Sequence, residues 1–421
     1  MEVMEPSAKY LVQPLYKRTE VGVIPEDWDV HPLGHLTDSN RPISYGIVQT
    51  GPNVRNGVRC LRVLDIENGR INKSDLITTT REISTAYKRT ILKAGDLVMP
   101  LRGKVGDVGI VDEDLSGSNL TRGVALIAIR LDWSGPFCRQ FIAASSTRGR
   151  LEQSMNGSAL QEIPIAALRA FKIALPATKA EQEAIAEALS DADALIESLD
   201  QLITKKRDLK QGAMQELLTG KKRLPGFEVS PSVKQTEVGA IPEDWTLAHI
   251  ENFSDITTGS RNTQDRVDDG QYPFFVRSQT VEHIDSYSFD GEAVLTAGDG
   301  VGTGKVFHYI NDKFDAHQRV YRISNFSELV NGYFFYLYFS TYFYGRIMQM
   351  TAKSSVDSVR REMIARMLIP LPPTKAEQTA IATILSDMDT ELTELESRLA
   401  KARQIKQGMM QELLTGRIRL L

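Results

Sequence analysis

The segments TKAEQEAIAEALSD at residues 178–191 and TKAEQTAIATILSD at residues 374–387 are identical at eleven of fourteen positions. Two further segments recur in the same order around them: TEVGVIPEDW at 19–28 with TEVGAIPEDW at 236–245, and QGAMQELLTG at 211–220 with QGMMQELLTG at 407–416. The intervening stretches, about 30–170 and 247–368, barely resemble each other. The 421-residue chain is therefore predicted to be two tandem cassettes, in which one constant frame surrounds two different inserts.

The repeated segment is predicted to begin a helix in each cassette. Thr178 has the residue type and position of an N-cap, and Glu181 follows three residues later, as in a reciprocal capping box. Thr374 and Glu377 repeat this pattern in the second cassette. Each helix is predicted to start directly after its threonine.

Apolar residues then recur at alternating spacings of four and three, which is the narrow seam of a coiled coil. A seam of this kind needs a partner, and the simplest one is the other copy, running antiparallel and related to the first by a pseudo-twofold axis. Packing of each helix on its own domain, or pairing with another chain, stays open as an alternative. The predicted seam residues are Ile185, Leu189, Ala192, Ile196, Leu199, Ile203, Ile381, Leu385, Met388, Leu392, Leu395, Leu399 and Ala402.

The ends of the helices are predicted from glycine and basic residues. The glycine of each LLTG motif, Gly220 or Gly416, is typical of a left-handed C-cap. Basic residues near the ends are expected to form a solvated face that complements the helix dipole, or to contact phosphates or a partner. They are Lys205, Lys206, Arg207, Lys210, Lys401, Arg403 and Lys406.

Both inserts have the composition of β-strands interrupted by glycine-rich turns. Strands are predicted at Leu97–Pro100, Val105–Val111, Val124–Leu131, Ala293–Thr296, Val301–Tyr309 and Val320–Ile323. The stretch 95–111 is aligned with 291–307 at an offset of 196 residues. The turn GDGVGTGK at 298–305 is not a Walker A loop, because Asp299 and Val306 stand where that motif needs glycine and serine or threonine. Hairpin turns are the better interpretation.

Composition is that of an ordinary globular protein, with 42% hydrophobic and 25% charged residues and a formal net charge of -4. No global basic excess indicates nucleic acid, although a locally basic face is sufficient to attract a phosphate backbone. Cys60 and Cys138 lack metal-site spacing and suit a reducing compartment. The aromatic stretch Tyr333–Tyr344 is too short to span a bilayer and is predicted to be a core helix. The N-terminal MEVMEPSAKY does not resemble a secretory signal, so a cytoplasmic location is expected.

No catalytic set recurs in the two cassettes. The six histidines are scattered without metal-ligand spacing, and neither a GxSxG nor an HExxH motif occurs. A binding protein without catalytic residues is therefore predicted. Arginine, lysine, asparagine and glutamine on loops match the donors and acceptors of base edges, and they favour DNA as the ligand. The candidate DNA-binding residues are Tyr45, Gln49, Arg62, Arg102, Lys104, Asn119, Thr121 and Arg122 in the first insert, and Ser260, Arg261, Asn262, Arg277, Ser278, Gln279, Lys305, His317, Gln318 and Arg319 in the second.

The doubled pattern of a variable stretch, LPATKAEQEAIAEALS at 175–190 or LPPTKAEQTAIATILS at 371–386, and then QELLTG closely resembles the specificity subunit of type I restriction–modification systems. The resemblance covers essentially the whole chain. It implies an α+β fold, with two mixed α/β target recognition domains joined by two long helices that pair as an antiparallel coiled coil. Each domain would read one half of a bipartite, asymmetric DNA site, and the helices would set the gap. The implied domains are residues 1–172, 173–222, 223–368 and 369–421.

The resemblance also implies partners. The chain would itself be non-catalytic and would bind double-stranded DNA, two methyltransferase subunits and two restriction/translocase subunits. S-adenosylmethionine, ATP and magnesium would belong to those partners, with no cofactor in this chain. Docking surfaces must occur twice, and Trp28 and Trp245 are the candidates, although they could instead only attach each domain to the helical frame. A stand-alone DNA-binding regulator and a scaffold that never reads DNA remain alternatives.

Overall fold

The computed structural model describes residues 15–155, 161–228, 232–350 and 358–420. Its contacts divide the chain into two units, of which the first contains Met1–Asp200 with Arg398–Leu421 and the second contains Gln201–Ser397. Both divisions fall inside long helices, Lys179–Leu217 and Lys375–Leu413, which are called the first and second long helix. Each unit therefore consists of one insert, the start of one long helix and the end of the other. The predicted domains follow the repeat in the sequence, whereas the packing divides the chain within the helices.

The first unit opens with a hairpin of Tyr16–Thr19 and Gly22–Pro25. The next strand, Asp29–Pro32, pairs antiparallel with Lys172–Leu175, so the insert leaves and rejoins the frame at adjacent strands. Its main sheets contain, in order, Gly109–Ile110, Leu97–Pro100, Val124–Ile127 and Ser44–Tyr45, and then Asn119–Leu120, Val58–Leu61 and Ile77–Thr79. A hairpin of Ile66–Glu67 and Arg70–Ile71 and the helices Leu33–Leu36, Arg81–Ala86, Gly135–Ala143, Ser145–Gln153 and Ile165–Ala170 complete the insert.

The second unit repeats this frame with a different insert. Its opening hairpin is Val233–Thr236 with Gly239–Pro242, and Thr246–His249 pairs antiparallel with Leu368–Leu371. The insert forms one six-stranded sheet in the order Asp255–Thr258, Val320–Ser324, Phe289–Ala297, Phe307–Ala316, Tyr272–Phe275 and Glu282–Ile284. Its helices are Gly332–Met350 and Arg361–Ala365. Parallel pairing occurs in both inserts beside antiparallel pairing, so the predicted mixed α/β domains are confirmed.

The strand predictions hold best where β-branched residues form continuous runs. Leu97–Pro100 is confirmed residue for residue, and the strands predicted from 124, 293 and 320 onward are present with shifted ends. The strand predicted at Val301–Tyr309 is wrong in its first half, because hydrogen bonds such as Thr303 N–H to the Gly300 carbonyl close tight turns there. Val105–Val111 likewise contributes only Gly109–Ile110. Both glycine-rich stretches lie between antiparallel strands, as the hairpin interpretation predicts.

Each unit has its own apolar core, and the long helices contribute to both cores. In the first unit, Trp28 and Phe137 are completely buried beside Ile185 of the first long helix and Leu413 of the second. In the second unit, aromatic residues of Gly332–Met350 are buried with Trp245, which confirms the core helix predicted at Tyr333–Tyr344. The core residues of that helix include Phe334, Phe335, Phe339 and Phe343.

Within each unit the two long helices run antiparallel, as ion pairs between them show. In the first unit Lys406 Nζ lies 2.5 Å from Asp193 Oδ1, and Arg403 Nη2 lies 3.0 Å from Asp200 Oδ2. The residue numbers rise along one helix and fall along the other. The second unit has the same direction, with Lys206 paired to Glu391 and Lys210 paired to Asp389. The antiparallel pairing predicted from the seam is confirmed within each unit, and the pseudo-twofold axis stays a prediction.

The seam itself divides into two parts. Leu199, Ile203, Leu392, Leu395 and Leu399 are buried, as the coiled-coil spacing predicts. Ile185, Leu189, Ile381 and Leu385 are also buried, but they belong to the cores of the two units rather than to a bare helix pair. Ala192, Ile196, Met388 and Ala402 are half-buried. The first two turns of each helix therefore pack on a folded domain, because the opening hairpin and the insert cover them.

The helix ends agree with the predicted caps, with one correction. The Glu181 N–H donates to Thr178 Oγ1 and the Glu377 N–H donates to Thr374 Oγ1, each at 3.3 Å. The glutamate side chains do not close reciprocal capping boxes. They accept hydrogen bonds from arginines instead, Glu181 from Arg419 and Glu377 from Arg223. Gly220 and Gly416 adopt the left-handed conformation predicted for C-caps, with φ of 69° and 68°.

Replacing Gly416 by alanine is expected to destabilise the first unit by about 2–5 kcal/mol, from left-handed backbone strain and overpacking. A Cβ atom there would lie 2.5 Å from Pro25 Cγ and 3.1 Å from Trp28 Cζ2, and neither ring can move aside easily. Gly408→Ala is the control, because its Cβ would meet nothing within 4 Å and the helix interior favours alanine. Urea unfolding followed by Trp28 fluorescence measures both. Equal stability of the two variants would contradict the expectation.

Candidate nucleic-acid interface

In the first unit, backbone hydrogen bonds bring three loops of the insert together. The Arg122 N–H donates to the Ile47 carbonyl, and the Leu101 N–H donates to the Gly123 carbonyl, each at 2.8 Å. These loops follow or precede strands of both main sheets, so their positions are fixed by the sheets. We call the surface they form, residues 45–49, 101–104 and 121–123, the first loop junction.

Five of the candidate DNA-binding residues present accessible side chains at the first loop junction. Tyr45 is 45% exposed, and Gln49, Arg102 and Arg122 are exposed as well. Lys104 is half-buried, and its Nζ lies 2.6 Å from Glu67 Oε1. The structure therefore brings together two arginines, an amide and an aromatic ring, which can donate hydrogen bonds to an acidic or acceptor-rich ligand.

The other three candidates of the first insert are held within the protein. Asn119 is completely buried and its Oδ1 accepts from Thr90 Oγ1 at 2.8 Å, so its prediction as a DNA contact is wrong. The guanidinium of Arg62 donates to both carboxylate oxygens of Asp65, where it fixes a turn. The hydroxyl of Thr121 donates to a backbone carbonyl at 3.1 Å. A polar residue near a strand end thus served the fold in each case.

The second unit has an equivalent meeting of loops. The Gln318 N–H donates to the Arg261 carbonyl at 2.8 Å, and the Gly298 N–H donates to the Arg319 carbonyl at 2.7 Å. The His317 N–H donates to the Phe275 carbonyl, which adds a fourth segment. We call the surface formed by residues 258–262, 277–279, 298–305 and 317–319 the second loop junction.

Exposed side chains at the second loop junction contact one another. Arg277 Nη1 lies 2.8 Å from Asp299 Oδ1, and Arg319 Nη1 lies 3.3 Å from Asp299 Oδ2. Gln318 Nε2 donates to Asn262 Oδ1 at 2.6 Å. The side chains of Arg319 and Arg277 are 64% and 45% exposed, so both guanidinium groups are accessible to a ligand. Ser260, Gln279 and Lys305 are also exposed at this junction.

Two candidates of the second insert stabilise the junction from below. His317 is 6% exposed, so the prediction that it contacts DNA is wrong. Its Nδ1 accepts the Arg319 N–H at 3.0 Å. Burial, together with the positive charge of Arg277, lowers the pKa of His317, which keeps the imidazole neutral and able to accept. Arg261 donates through Nε to the buried Asp315 at 2.9 Å, and half-buried Ser278 donates to a backbone carbonyl.

The hydrogen bonds also correct the alignment of the two inserts. Val124 lies opposite Pro100 in the first unit and Val320 lies opposite Ala297 in the second, so this strand is offset by 197 residues and not by 196. Bridges between Arg102 and Glu162 and between Asp299 and Ser358 agree with that offset. Arg102 and Asp299 are therefore equivalent positions with opposite charges. The two loop junctions share a backbone plan but carry different side chains.

A cleft of about 490 Å³ beside the second loop junction contains residues that the sequence did not single out. Asp299 lies there with Arg319, Arg360 and Arg361, so the cleft carries more positive than negative charge. Asp299 was considered only in excluding a phosphate loop. The arginines at 360 and 361 follow a segment without strand or helix pattern, and only their adjacency in the sequence could have indicated a basic site. The cleft lining also includes Thr258, Gly298, Gln318, Tyr321, Ser358 and Val359.

The predicted docking residues Trp28 and Trp245 are completely buried, so they cannot contact a partner directly. The alternative interpretation, that they attach each domain to the frame, is the correct one. The guanidinium carbon of Arg419 lies 6.0 Å from the Trp28 ring centre, and that of Arg223 lies 5.7 Å from the Trp245 ring centre. The same arginine cluster therefore closes the frame in both units.

The remaining features give no sign of a metal or membrane site in the residues the structure describes. Across those ranges no group of three or more histidine, cysteine, aspartate or glutamate side chains is placed to hold a metal ion. None of the helices in the described part of the chain is long and apolar enough to cross a bilayer. Cys60 and Cys138 are free and buried, and burial raises the pKa of each thiol to about 12.

Known proteins resemble this chain along both units. The specificity subunits of the type I restriction enzymes EcoBI and EcoDI of Escherichia coli are 26% identical over 202 residues and 33% identical over 172 residues. These matches cover 47% and 40% of this chain, and they span only 42% and 36% of the length of those relatives. The chain therefore matches less than half of each of these two curated relatives.

Solved structures share the fold. The crystal structure of the type I restriction-modification system S subunit from M. genitalium has a TM-score of 0.64 at 15% identity, covering 96% of this chain and 99% of that chain. A structure described as showing complex assembly and conformational transition of the type I R-M system gives a TM-score of 0.52 at 16% identity, covering 94% and 99%. The model of the type I restriction modification DNA specificity domain matches residues 26–205 and 242–407. Since these ranges make up most of the chain and contain both loop junctions, the chain belongs to the family of type I restriction modification DNA specificity domains.

Proposed function

We propose that this chain acts as the DNA sequence-specificity subunit of a type I restriction–modification complex, and that each unit reads one half of a bipartite, asymmetric site. The observation that carries the proposal is the contrast between frame and junction. The frames repeat element for element, whereas Arg102 and Arg122 of the first junction correspond to Asp299 and Gln318 of the second. Two similar folds that present different donors and acceptors suit two different half-sites.

The charge distribution supports DNA as the ligand despite the formal net charge of -4. Exposed arginines are concentrated at the junctions and at the cleft of the second unit, whereas the basic residues of the long helices are neutralised by ion pairs such as Lys206 with Glu391. Local positive potential attracts and orients a phosphate backbone, and the net charge of the whole chain matters less. The long helices therefore serve as spacers rather than as DNA contacts in this proposal.

The partners follow from the duplication. A non-catalytic chain with two equivalent frames suits two copies of a methyltransferase subunit, which would bind S-adenosylmethionine, and two restriction/translocase subunits, which would bind ATP and magnesium. Leu131 and Leu329 replace the tryptophans as docking candidates, because they are 89% and 77% exposed. Each carbonyl is held by the start of a long helix, Leu131 by Lys179 Nζ at 2.8 Å and Leu329 by Gln378 Nε2 at 3.0 Å.

The proposal is tested by single-molecule sequencing of methylated adenines in a host that carries the neighbouring methyltransferase genes, with and without this chain. We expect methylation at one split sequence motif only when the chain is present. Tight, sequence-specific binding by the chain alone without any dependent methylation would favour a stand-alone regulator. Binding to two protein copies without DNA affinity would favour a scaffold.

Exchanging residues 33–171 for the corresponding insert of another family member is expected to change one half-site and leave the other half-site and the gap intact. The strands Asp29–Pro32 and Lys172–Leu175 stay in place, so the frame of the first unit is preserved. Exchange of the second insert between Thr246–His249 and Leu368–Leu371 is the matched control and should change the other half-site. Methylation-motif sequencing measures both. Retention of both original half-sites after either exchange would contradict the assignment.

A further inference from the structure

A carboxylate held between two exposed arginines is the most unusual polar group of the second loop junction. Arg277 follows the strand Tyr272–Phe275, Asp299 follows Phe289–Ala297, and Arg319 precedes Val320–Ser324. Three separate segments thus converge on one carboxylate, each of whose oxygens meets one guanidinium. The sheet fixes all three backbones, because the Gly298 N–H donates to the Arg319 carbonyl.

Stability does not account for this cluster. Exposed ion pairs contribute little to folding, since solvent screens them and the long side chains lose rotamer freedom. The two arginines are 45% and 64% exposed, and Asp299 retains 25% exposure. What the carboxylate does accomplish is geometric. It engages Nη1 of both guanidinium groups and thereby orients two planar sets of donors whose Nε and Nη2 atoms can serve a ligand.

The buried histidine below the cluster reinforces that geometry. His317 Nδ1 accepts the Arg319 N–H, so the backbone of this arginine is anchored by a hydrogen bond as well as by the strand. His317 is neutral in this environment, and it adds no positive charge under the two arginines. The cluster of Arg277, Asp299 and Arg319 therefore carries a formal charge of about +1, because the carboxylate offsets one of the guanidinium groups.

That combination fits a base pair better than a phosphate. A phosphate site favours arginines without a neighbouring carboxylate, since the carboxylate repels the anion. In the major groove, guanine presents two acceptors, O6 and N7, which match the paired donors of an arginine. The cytosine of the same pair presents the N4 amino donor, which matches a carboxylate acceptor. Donors and an acceptor held side by side therefore correspond to both halves of a G·C pair.

The first junction shows that this pattern belongs to one unit. Arg102 is equivalent to Asp299, and Gly123 is equivalent to Arg319. The first junction therefore has neither the carboxylate nor the second arginine at these two positions. A difference of this kind is expected if the two half-sites differ in sequence.

We propose that Arg277, Asp299 and Arg319 read one G·C base pair in the major groove of the half-site bound by the second unit. This inference rests on the proposed function and identifies the residues that determine one of its positions. Arg319, the more exposed arginine, donates to guanine O6 and N7. Asp299 positions both guanidinium groups and accepts from cytosine N4, and Arg277 holds the carboxylate in place.

The test uses the full complex in a host, with methylated-adenine sequencing as the readout. Arg319→Ala is expected to relax one G·C position of one half-site, lowering the preference for that pair about 5- to 150-fold, while every other position and the gap stay unchanged. Asp299→Asn should relax the same position, because an amide no longer holds both guanidinium groups. Arg266→Ala is the control, since this arginine is also exposed in the second unit but pairs with Glu282 away from the cluster.

The outcomes separate this inference from the proposed function. If the wild-type chain directs no sequence-defined methylation, the proposed function itself fails. If the wild-type motif is present and Arg319→Ala lowers methylation equally at all sequences, Arg319 contacts phosphate and the base-reading inference is overturned. An unchanged motif in both Arg319→Ala and Asp299→Asn would overturn it as well. Thermal unfolding of the purified variants at the wild-type temperature verifies that any change of motif does not come from misfolding.

Discussion

Arg419→Ala is expected to destabilise the first unit by about 3–5 kcal/mol, because it leaves a buried carboxylate without its cation. Arg419 Nη2 lies 2.8 Å from Glu181 Oε2 and 2.8 Å from Asp27 Oδ2. The side chain of Glu181 is 2% exposed and that of Arg419 is 15% exposed, so solvent cannot replace the lost partner. The arginine also covers the ring of Trp28, and its loss would expose that ring as well.

The measurement must report on one unit, because the chain has two. Its three tryptophans are Trp28, Trp133 and Trp245, so a Trp245→Phe background leaves only the fluorescence of the first unit. Arg417→Ala is the matched control: this neighbouring arginine is 64% exposed and pairs with Glu412, and its loss should cost about 0–1 kcal/mol. Adding Glu181→Gln to Arg419→Ala should recover part of the loss, since the buried charge is removed. Equal urea midpoints for the two arginine variants would contradict the expectation.

The same cluster predicts a pH dependence. The hydrogen bond from Arg419 holds the pKa of Asp27 below its ordinary value of 3.8. A carboxyl group whose pKa is lowered by folding stabilises the fold above its unfolded pKa and loses that contribution as the pH falls through the folded value. The difference in stability between the wild type and Arg419→Ala should therefore shrink as the pH falls below about 4.

Adding seven residues to each long helix is expected to lengthen the gap between half-sites by one to three base pairs without changing either half-site. The insertions would follow Asp200 and Ser397, where the chain passes from one unit to the other. One heptad adds about 10.5 Å of helix and preserves the register of the seam. That length corresponds to about three base pairs at 3.4 Å each. The twist of the double helix favours a smaller change, because the two half-sites must still face their readers.

The control is an insertion in the first long helix alone, which leaves one heptad without an opposite strand of the seam. It should lower the stability of the helix pair and abolish a defined gap. Pairs such as Asp193 with Lys406 and Lys206 with Glu391 lie on either side of the insertions and are kept in the double variant. Methylation-motif sequencing gives the gap directly. A change of half-site bases, or an unchanged gap in the double variant, would contradict the spacer role.

The frame could be predicted from the sequence because its signals are local. Threonine caps, the LLTG glycines and the heptad spacing each determine structure within a few residues, and the repeat shows that they occur twice. The interhelical ion pairs were not predicted. Lys210 looks like a solvated basic residue until the register of the opposite helix places Asp389 beside it. A register between segments almost 200 residues apart cannot be deduced from either segment alone.

The DNA interface was predicted less well, for a different reason. Polar loop residues such as Asn119 and Arg122 have the same sequence character, yet one is completely buried and the other is exposed. Only the packing of a neighbouring strand or hydroxyl group decides which side a residue faces. Asp299 was missed because its role depends on Arg277 and Arg319, which come from other segments. Residues that act as a group are recognised only after the fold has assembled them.

The discontinuity of the first unit has a consequence for synthesis on the ribosome. Leu413, Leu414 and Arg419 belong to its core and its closing cluster, but they are translated only after the whole of Gln201–Ser397. At about 5–20 residues per second, the N-terminal half must wait roughly 10–40 s for the segment that completes it. During this interval the apolar faces of Ile185 and Leu189 lack part of their covering, so the nascent chain depends on chaperones or on rapid completion of the second half to avoid aggregation.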